Sequence, residues 1–210
     1  MPETNPNLEG VNNDLAEDIK ASFNYLRSQG EVAVITDEQE INLMLAEFAN
    51  SGINLFDGYT QFQNIFKLNN CYLLQIRRQK VYRGIKGEVI VLNEYDLSSI
   101  VYKQAPTDYG KLTIEPAEYH IPLIAKFLSH VFSSDDVFIP GHHLFNSKYR
   151  VRATDKAVAD QLLTDPVLDA IGGDSNVHVL IVHDKILVLH DGVDKNTTSI
   201  ITQVLNLLRI

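Results

Sequence analysis

The chain is expected to fold as an α+β domain, with N-terminal helices, a mainly antiparallel sheet, and a C-terminal strand, helix, helix, hairpin and helix unit. Three features of the sequence lead there. Apolar residues recur at helical spacing over residues 12–50, β-branched and aromatic runs fill residues 61–115, and the last third alternates capped helices with an apolar hairpin.

In chain order, residues 1–11 carry Pro2, Pro6 and Gly10 without periodicity and read as a disordered terminus whose removal leaves folding intact. Leu15, Ile19, Phe23 and Leu26 follow the cap candidates Asn12 and Asn13, and Gly30 ends that helix. After the short run Val32–Ile35, Thr36 and Gln39 have capping-box spacing before Ile41, Met44, Leu45 and Phe48, and Asn50-Ser-Gly52 closes this second helix. Phe62–Leu68 and Cys71–Ile76 flank Asn69-Asn70, a pair that accepts the positive φ of a two-residue hairpin. Glu88–Asn93, Ile100–Lys103 and Leu112–Ile114 extend this as an antiparallel meander, with Ala105–Gly110 as a loop. Pro116–Phe132 has helical spacing through Ile121, Ile124, Phe127 and Val131.

The tail is read as a strand over Phe145-Asn-Ser-Lys-Tyr-Arg-Val-Arg152, then a helix capped at Thr154-Asp155 and running through Leu163. Thr164-Asp165-Pro166 restarts a helix with proline at its first position, and Gly172-Gly173 stops it. Val177–Val182 and Ile186–Leu189 flank the turn candidate Asp184-Lys185. Both runs are apolar on two faces, so they belong in the middle of a covered sheet, and the last helix, with Ile200, Ile201, Val204, Leu205 and Leu208, is an obvious cover.

Composition bounds the function. At 210 residues, 45% hydrophobic and 9% aromatic, the chain can bury a sizeable core. Without an apolar run of about 18 residues or a basic segment before an apolar one, neither a membrane span nor a secretory leader is expected, and the cytoplasm is the default residence. Cys71 is the single cysteine, which excludes an intrachain disulfide and a thiolate metal cluster. Residues 1–60 hold eleven acids against two bases, so the whole net charge of −9 lies there. That break divides the chain into an acidic helical arm over 12–60 and an α+β domain over 61–210, itself separable into 61–132 and 133–210.

The order Phe145-x-x-Lys-Tyr-x-Val151, Asp155, Ala159-x-x-Leu162-Leu163-Thr164 and an apolar hairpin resembles a bacterial domain-of-unknown-function family, some members of which are membrane-anchored. Gly84–Glu94 and the Leu112-x-x-Glu115-Pro116 step fit the same family less specifically. The resemblance implies no catalytic residue, and this chain lacks the anchored members' spanning helix.

Two basic segments stand out as candidate sites. Arg77, Arg78, Lys80, Arg83 and Lys86 fall within ten residues, and Lys148, Arg150 and Arg152 alternate along a strand whose other face packs inward. Together they would bind an anionic partner or protein, the acidic arm of the chain itself, or a second copy. Nucleic acid and anionic lipid are weaker readings because the chain is acidic overall and has no stacking motif.

A metal-dependent hydrolase using His142 or His143 with Asp135 or Asp136 is the rival. Adjacent extended histidines point opposite ways, so at most one of them joins a given site. In the last hairpin a turn at Asp184-Lys185 sets His178 opposite Asp191 and places His178 and His190 on opposite faces, which favours a His178–Asp191 pair over a three-histidine site. Cys71 reads as a buried small hydrophobe. The sequence therefore points to a non-enzymatic interaction domain with no cofactor, which binds protein through a basic sheet face.

Overall fold

The computed structural model describes residues 5–51, 60–83, 88–117, 135–174 and 176–208, with backbone alone at 60, 80–83, 89–96 and 135. Of the helix expected over 116–132, Pro116 ends a strand instead and residues 118–132 lie outside the described residues, as does Lys86.

Helix α1 (Asn13–Gln29) begins where Asn12 accepts the N–H of Leu15. Strand β1 (Val32–Val34) leads into α2 (Glu38–Asn50). The cap of α2 is Asp37 rather than Thr36, because its carboxylate accepts the N–H of Gln39. Strands β2 (Thr60–Leu68), β3 (Cys71–Arg83) and β4 (Val89–Gln104) follow as a true meander, and β2 turns into β3 through Asn69 at φ +55°. The runs expected separately at 88–93 and 100–103 are one strand.

The meander then stops. Strand β5 (Lys111–Pro116) does not pair with β4. It pairs with β7 (Tyr149–Ala153) and β8 (Val177–Val182), and the hairpin of β8 with β9 (Lys185–Asp191) is inserted between β4 and β5. With the two-residue edge strand β6 (Asp135–Asp136), the order is β1-β2-β3-β4-β9-β8-β5-β7-β6, every neighbour antiparallel.

Burial explains the insertion. Every residue of β8 is buried, so a strand apolar on both faces takes a central place, where each face has a cover. On one face, Val177, Val179, Ile181, Ile186 and Val188 join Phe23 and Leu26 of α1. The same core takes Ala159 and Leu162 of α4 (Lys156–Leu162), Leu168 and Ile171 of α5 (Asp165–Gly172), and Ile201, Val204 and Leu205 of α6 (Thr197–Leu207). On the other face, Leu180, Val182, Leu187 and Leu189 join Met44 and Phe48 of α2. Each fully buried aliphatic side chain contributes about 1.5–3 kcal/mol.

The acidic segment is thus not a detached arm over 12–60. Its helices carry their charge outward and supply core residues inward. Nor is the terminus loose from Asn5 onward, since its main chain is bonded to β2, as described below.

The stretch expected as a strand from Phe145 is also different. His143–Lys148 forms a short helix, α3, and the strand starts at Tyr149. Phe145 and Tyr149, four apart, both enter the core with their rings stacked 5.0 Å apart, which helical spacing permits and extended spacing does not. The C-terminal hairpin turns at His183-Asp184, with His183 at φ +58°, and pairs Val182 with Lys185. This register differs from the expected one by two residues across the pair, so His178 and His190 still face opposite sides.

Candidate functional site

The expected basic face does not assemble as one surface. Arg77 and Arg78 are successive on β3 and point to opposite faces. Arg77 holds Gln61 Oε1 through Nε and Nη2 at 3.2 and 2.8 Å. Lys80 and Arg83 lie further along β3, where the backbone alone is described. Between β3 and β7 stand four strands, a separation of about 24 Å at the usual strand spacing.

On β7, Arg152 is neutralised by Glu115 at 3.5 Å and Asp136 at 3.3 Å. Arg150 is exposed, and Lys148 ends α3 rather than continuing the strand. Among the described residues neither Lys148 nor Arg150 has an ion pair. Lys148 and Arg150 thus lie together at one corner of the sheet, Arg150 with Glu115 as its cross-strand neighbour.

That corner is rigidly built. Gly141 at φ +81° turns the chain, and Asn146 closes the loop by accepting the N–H of Ile139 (3.1 Å) and donating to the carbonyls of Ile139 (2.7 Å) and His142 (2.9 Å). Tyr149 anchors it from below, donating to the carbonyl of Ile171 at 3.0 Å and also to that of Asp174. The outer surface is apolar. Leu144 is 81% exposed and Phe138 57%, and the Phe138 ring lies 6.0 Å from that of His143. Leu144 and Lys148 are four apart and share a face of α3.

Three of the four residues of the hydrolase reading go to other partners, and of Asp135 the backbone alone is described. His142 Nε2 meets Asp165 Oδ1 at 3.2 Å, Asp136 is engaged by Arg152, and His143 lies against Phe138. The described residues contain no group of three His, Cys, Asp or Glu side chains placed to share a metal ion. The expected His178–Asp191 pair is present at 3.2 Å, diagonal in the observed register.

On the other face, His190 Nε2 meets Asp174 Oδ2 at 3.1 Å, and Ser99 is the direct cross-strand neighbour of His190. Serine, histidine and aspartate thus adjoin, but Ser99 is fully buried and its Oγ makes no hydrogen bond. A nucleophile needs its base within hydrogen-bond reach, so this set is structural. Burial pushes the Cys71 thiol up despite the opposing pull of Lys103, the reverse of what a thiolate nucleophile requires.

A second constellation, which the sequence reading missed, lies at the opposite edge of the sheet. A bulge in β2 between Phe62 and Asn64 turns Gln63 to the same side as Asn64, and both are 4% exposed. Asn64 accepts the N–H of Asn7 on Oδ1 (2.6 Å) and donates from Nδ2 to the carbonyl of Asn7 (3.1 Å) and to Gln75 Oε1 (2.9 Å). Gln63 Nε2 donates to the carbonyls of Asn7 and Glu9. Beside this strap lies a cleft of about 830 Å³ lined by Asn5–Glu9, Val34–Thr36, Ile41 and Phe62–Ile65. The signal available was a pair of amides, Gln63-Asn64, inside an otherwise apolar strand.

Comparison with known proteins leaves the geometry to speak alone. The chain matches no protein-family model, no curated protein and no solved structure. No helix among the described residues is long and apolar enough to cross a membrane.

Proposed function

We propose that this chain is a non-enzymatic interaction domain that docks protein at the α3 corner, and that the docking partner is the acidic outer face of α2 on a second copy. The observation that carries the reading is the distribution of exposed apolar bulk. Among the described residues the large exposed hydrophobics are Leu43, Phe138 and Leu144. Leu144 shares a helix face with Lys148, and Leu43 shares a face of α2 with Glu47, four residues on and exposed. The two helices present the same apolar and charged spacing with opposite sign.

Docking one on the other covers apolar surface and compensates Lys148 with a carboxylate. The patches are small beside a standard interface, so the association is weak and concentration-dependent. The surfaces differ, so the contact is heterologous.

Sedimentation velocity over a concentration series tests this. The intact chain should associate, less so in about 1 M salt than in 0.1 M, because screening shortens the reach of charge. Leu144→Glu and Lys148→Glu should each abolish association, and adding Glu47→Lys to Lys148→Glu should restore it. A chain that stays monomeric at every concentration and salt overturns the reading. So does tight binding of mixed nucleic acid or anionic vesicles that is lost in a Lys148→Glu, Arg150→Glu variant.

A further inference from the structure

We propose that the groove on β2 floored by Gln63 and Asn64 is a binding site for the main chain of a peptide segment, and that Asn5–Glu9 occupies it as a built-in pseudo-ligand. The site is separate from the α3 corner, at the other edge of the sheet.

The recognition is of main chain. Asn64 offers Oδ1 to the N–H and Nδ2 to the carbonyl of one residue, Asn7, and Gln63 reaches the carbonyls of Asn7 and Glu9. A carboxamide that grips both main-chain polar groups of one residue reads the backbone there whatever its side chain. No side chain of the strap takes part in these bonds, so any segment of the same conformation satisfies them. The bulge is what makes the grip two-residue wide, since it sets adjacent amides on one side.

The groove is also larger than its occupant. Ile35 donates to the carbonyl of Ile65 at 2.8 Å, after which the chain leaves the sheet for the Asp37 cap. Beyond that point β2 has no strand beside it among the described residues on this edge, and strand edges are where extended peptides add. The cleft of about 830 Å³ lies there, with Ile35, Ile41 and Phe62 half-buried in its wall as seats for apolar side chains. The strap joins the α1 cap through Gly10, at φ +73°, and the Leu8–Val11 turn. A segment with apolar residues at alternate positions would fill the wall as well as the grip, and so displace the strap.

The intact chain tests this with a labelled, end-capped peptide of residues 5–11. In the wild type the tethered strap competes at high effective concentration. Asn7→Pro removes the N–H that Asn64 accepts and leaves the rest of the chain in place. Fluorescence anisotropy should show the peptide binding the Asn7→Pro chain about tenfold or more tighter than the wild type. A second measurement uses the wild type alone. At millimolar peptide, NMR should show the side-chain amide signals of Asn64 and Gln63 shifting. The proposal is overturned by a folded Asn7→Pro chain with no gain in peptide affinity. If that variant does not fold, unmoved Asn64 and Gln63 amides at saturating peptide overturn it.

Discussion

Ser99 and His190 stand side by side across β4 and β9, in a row of buried polar residues that crosses four strands as Asn64, Gln75, Ser99 and His190. The outer members are well partnered, Asn64 by Asn7 and Gln75, and His190 by Asp174. Ser99 Oγ and Gln75 Nε2 are not. An unpaired buried hydroxyl costs stability, whereas a paired imidazole loses it when its partner goes. Ser99→Ala is therefore expected to be neutral or stabilising by up to about 1 kcal/mol, while Asp174→Ala costs about 1–3 kcal/mol. Urea titrations of both variants check the contrast, and equal losses would show that Ser99 has a partner too.

Stability at high pH follows from two phenols. Burial, aided by Glu47, pushes Tyr102 up to about 12, and burial with Asp174 nearby pushes Tyr149 higher. Tyrosine in the unfolded chain ionises near 10. Both phenols thus stabilise the fold fully below about pH 10, and that contribution falls away as pH rises towards 12, at up to about 1.4 kcal/mol per pH unit each. Denaturant midpoints of wild type and Tyr102→Phe measured from pH 8 to 11.5 should separate, with the variant declining less steeply. Parallel curves would show that Tyr102 ionises normally.

The core gives a third test. Ile181 is fully buried at the centre of β8 and Leu205 is 2% exposed on α6. Truncating either to alanine removes aliphatic bulk where neighbours on two layers cannot close the gap, at a cost of about 2–5 kcal/mol. Guanidinium unfolding measures it, and a loss below about 0.5 kcal/mol would mean that the position is solvated.

What the sequence discloses here is local. The Asn12 cap, the Asn69-Asn70 turn, Pro166 at the start of α5 and the two-faced β8 are all set by neighbours a few residues away, and all read correctly. The insertion of β8 and β9 between β4 and β5 is set by contacts some eighty residues apart, which periodicity does not report. Helix α3 is too short to show a 3.6-residue period, and the alternation of Lys148, Arg150 and Arg152 has the two-residue period of a strand. Of the eight predicted basic residues, the ion pairs of Arg152 could not be seen because Glu115 and Asp136 come from two other strands. The strap was invisible for a different reason. Its bonds use main-chain groups of Asn7 and Glu9, which leave no pattern in side-chain chemistry.

The charge break near residue 60 suggests a detachable arm, and the structure makes the opposite prediction for its removal. Residues 12–50 supply Phe23, Leu26, Met44 and Phe48, each at most 8% exposed, to the cores on both faces of the sheet, and bury Ile19 as well. They also supply β1, the neighbour of β2 along Phe66–Leu68. Deleting residues 1–60 would uncover Phe66, Ile65, Leu74 and Tyr102 and forfeit several buried side chains worth about 1.5–3 kcal/mol each. That sum is comparable with the whole net stability of a domain, about 5–15 kcal/mol. The truncated chain is expected to lose its cooperative unfolding transition and to bind a hydrophobic dye such as ANS. Thermal denaturation by circular dichroism decides the matter, and a cooperative transition within a few degrees of the wild type would mean that the acidic helices are dispensable to the fold.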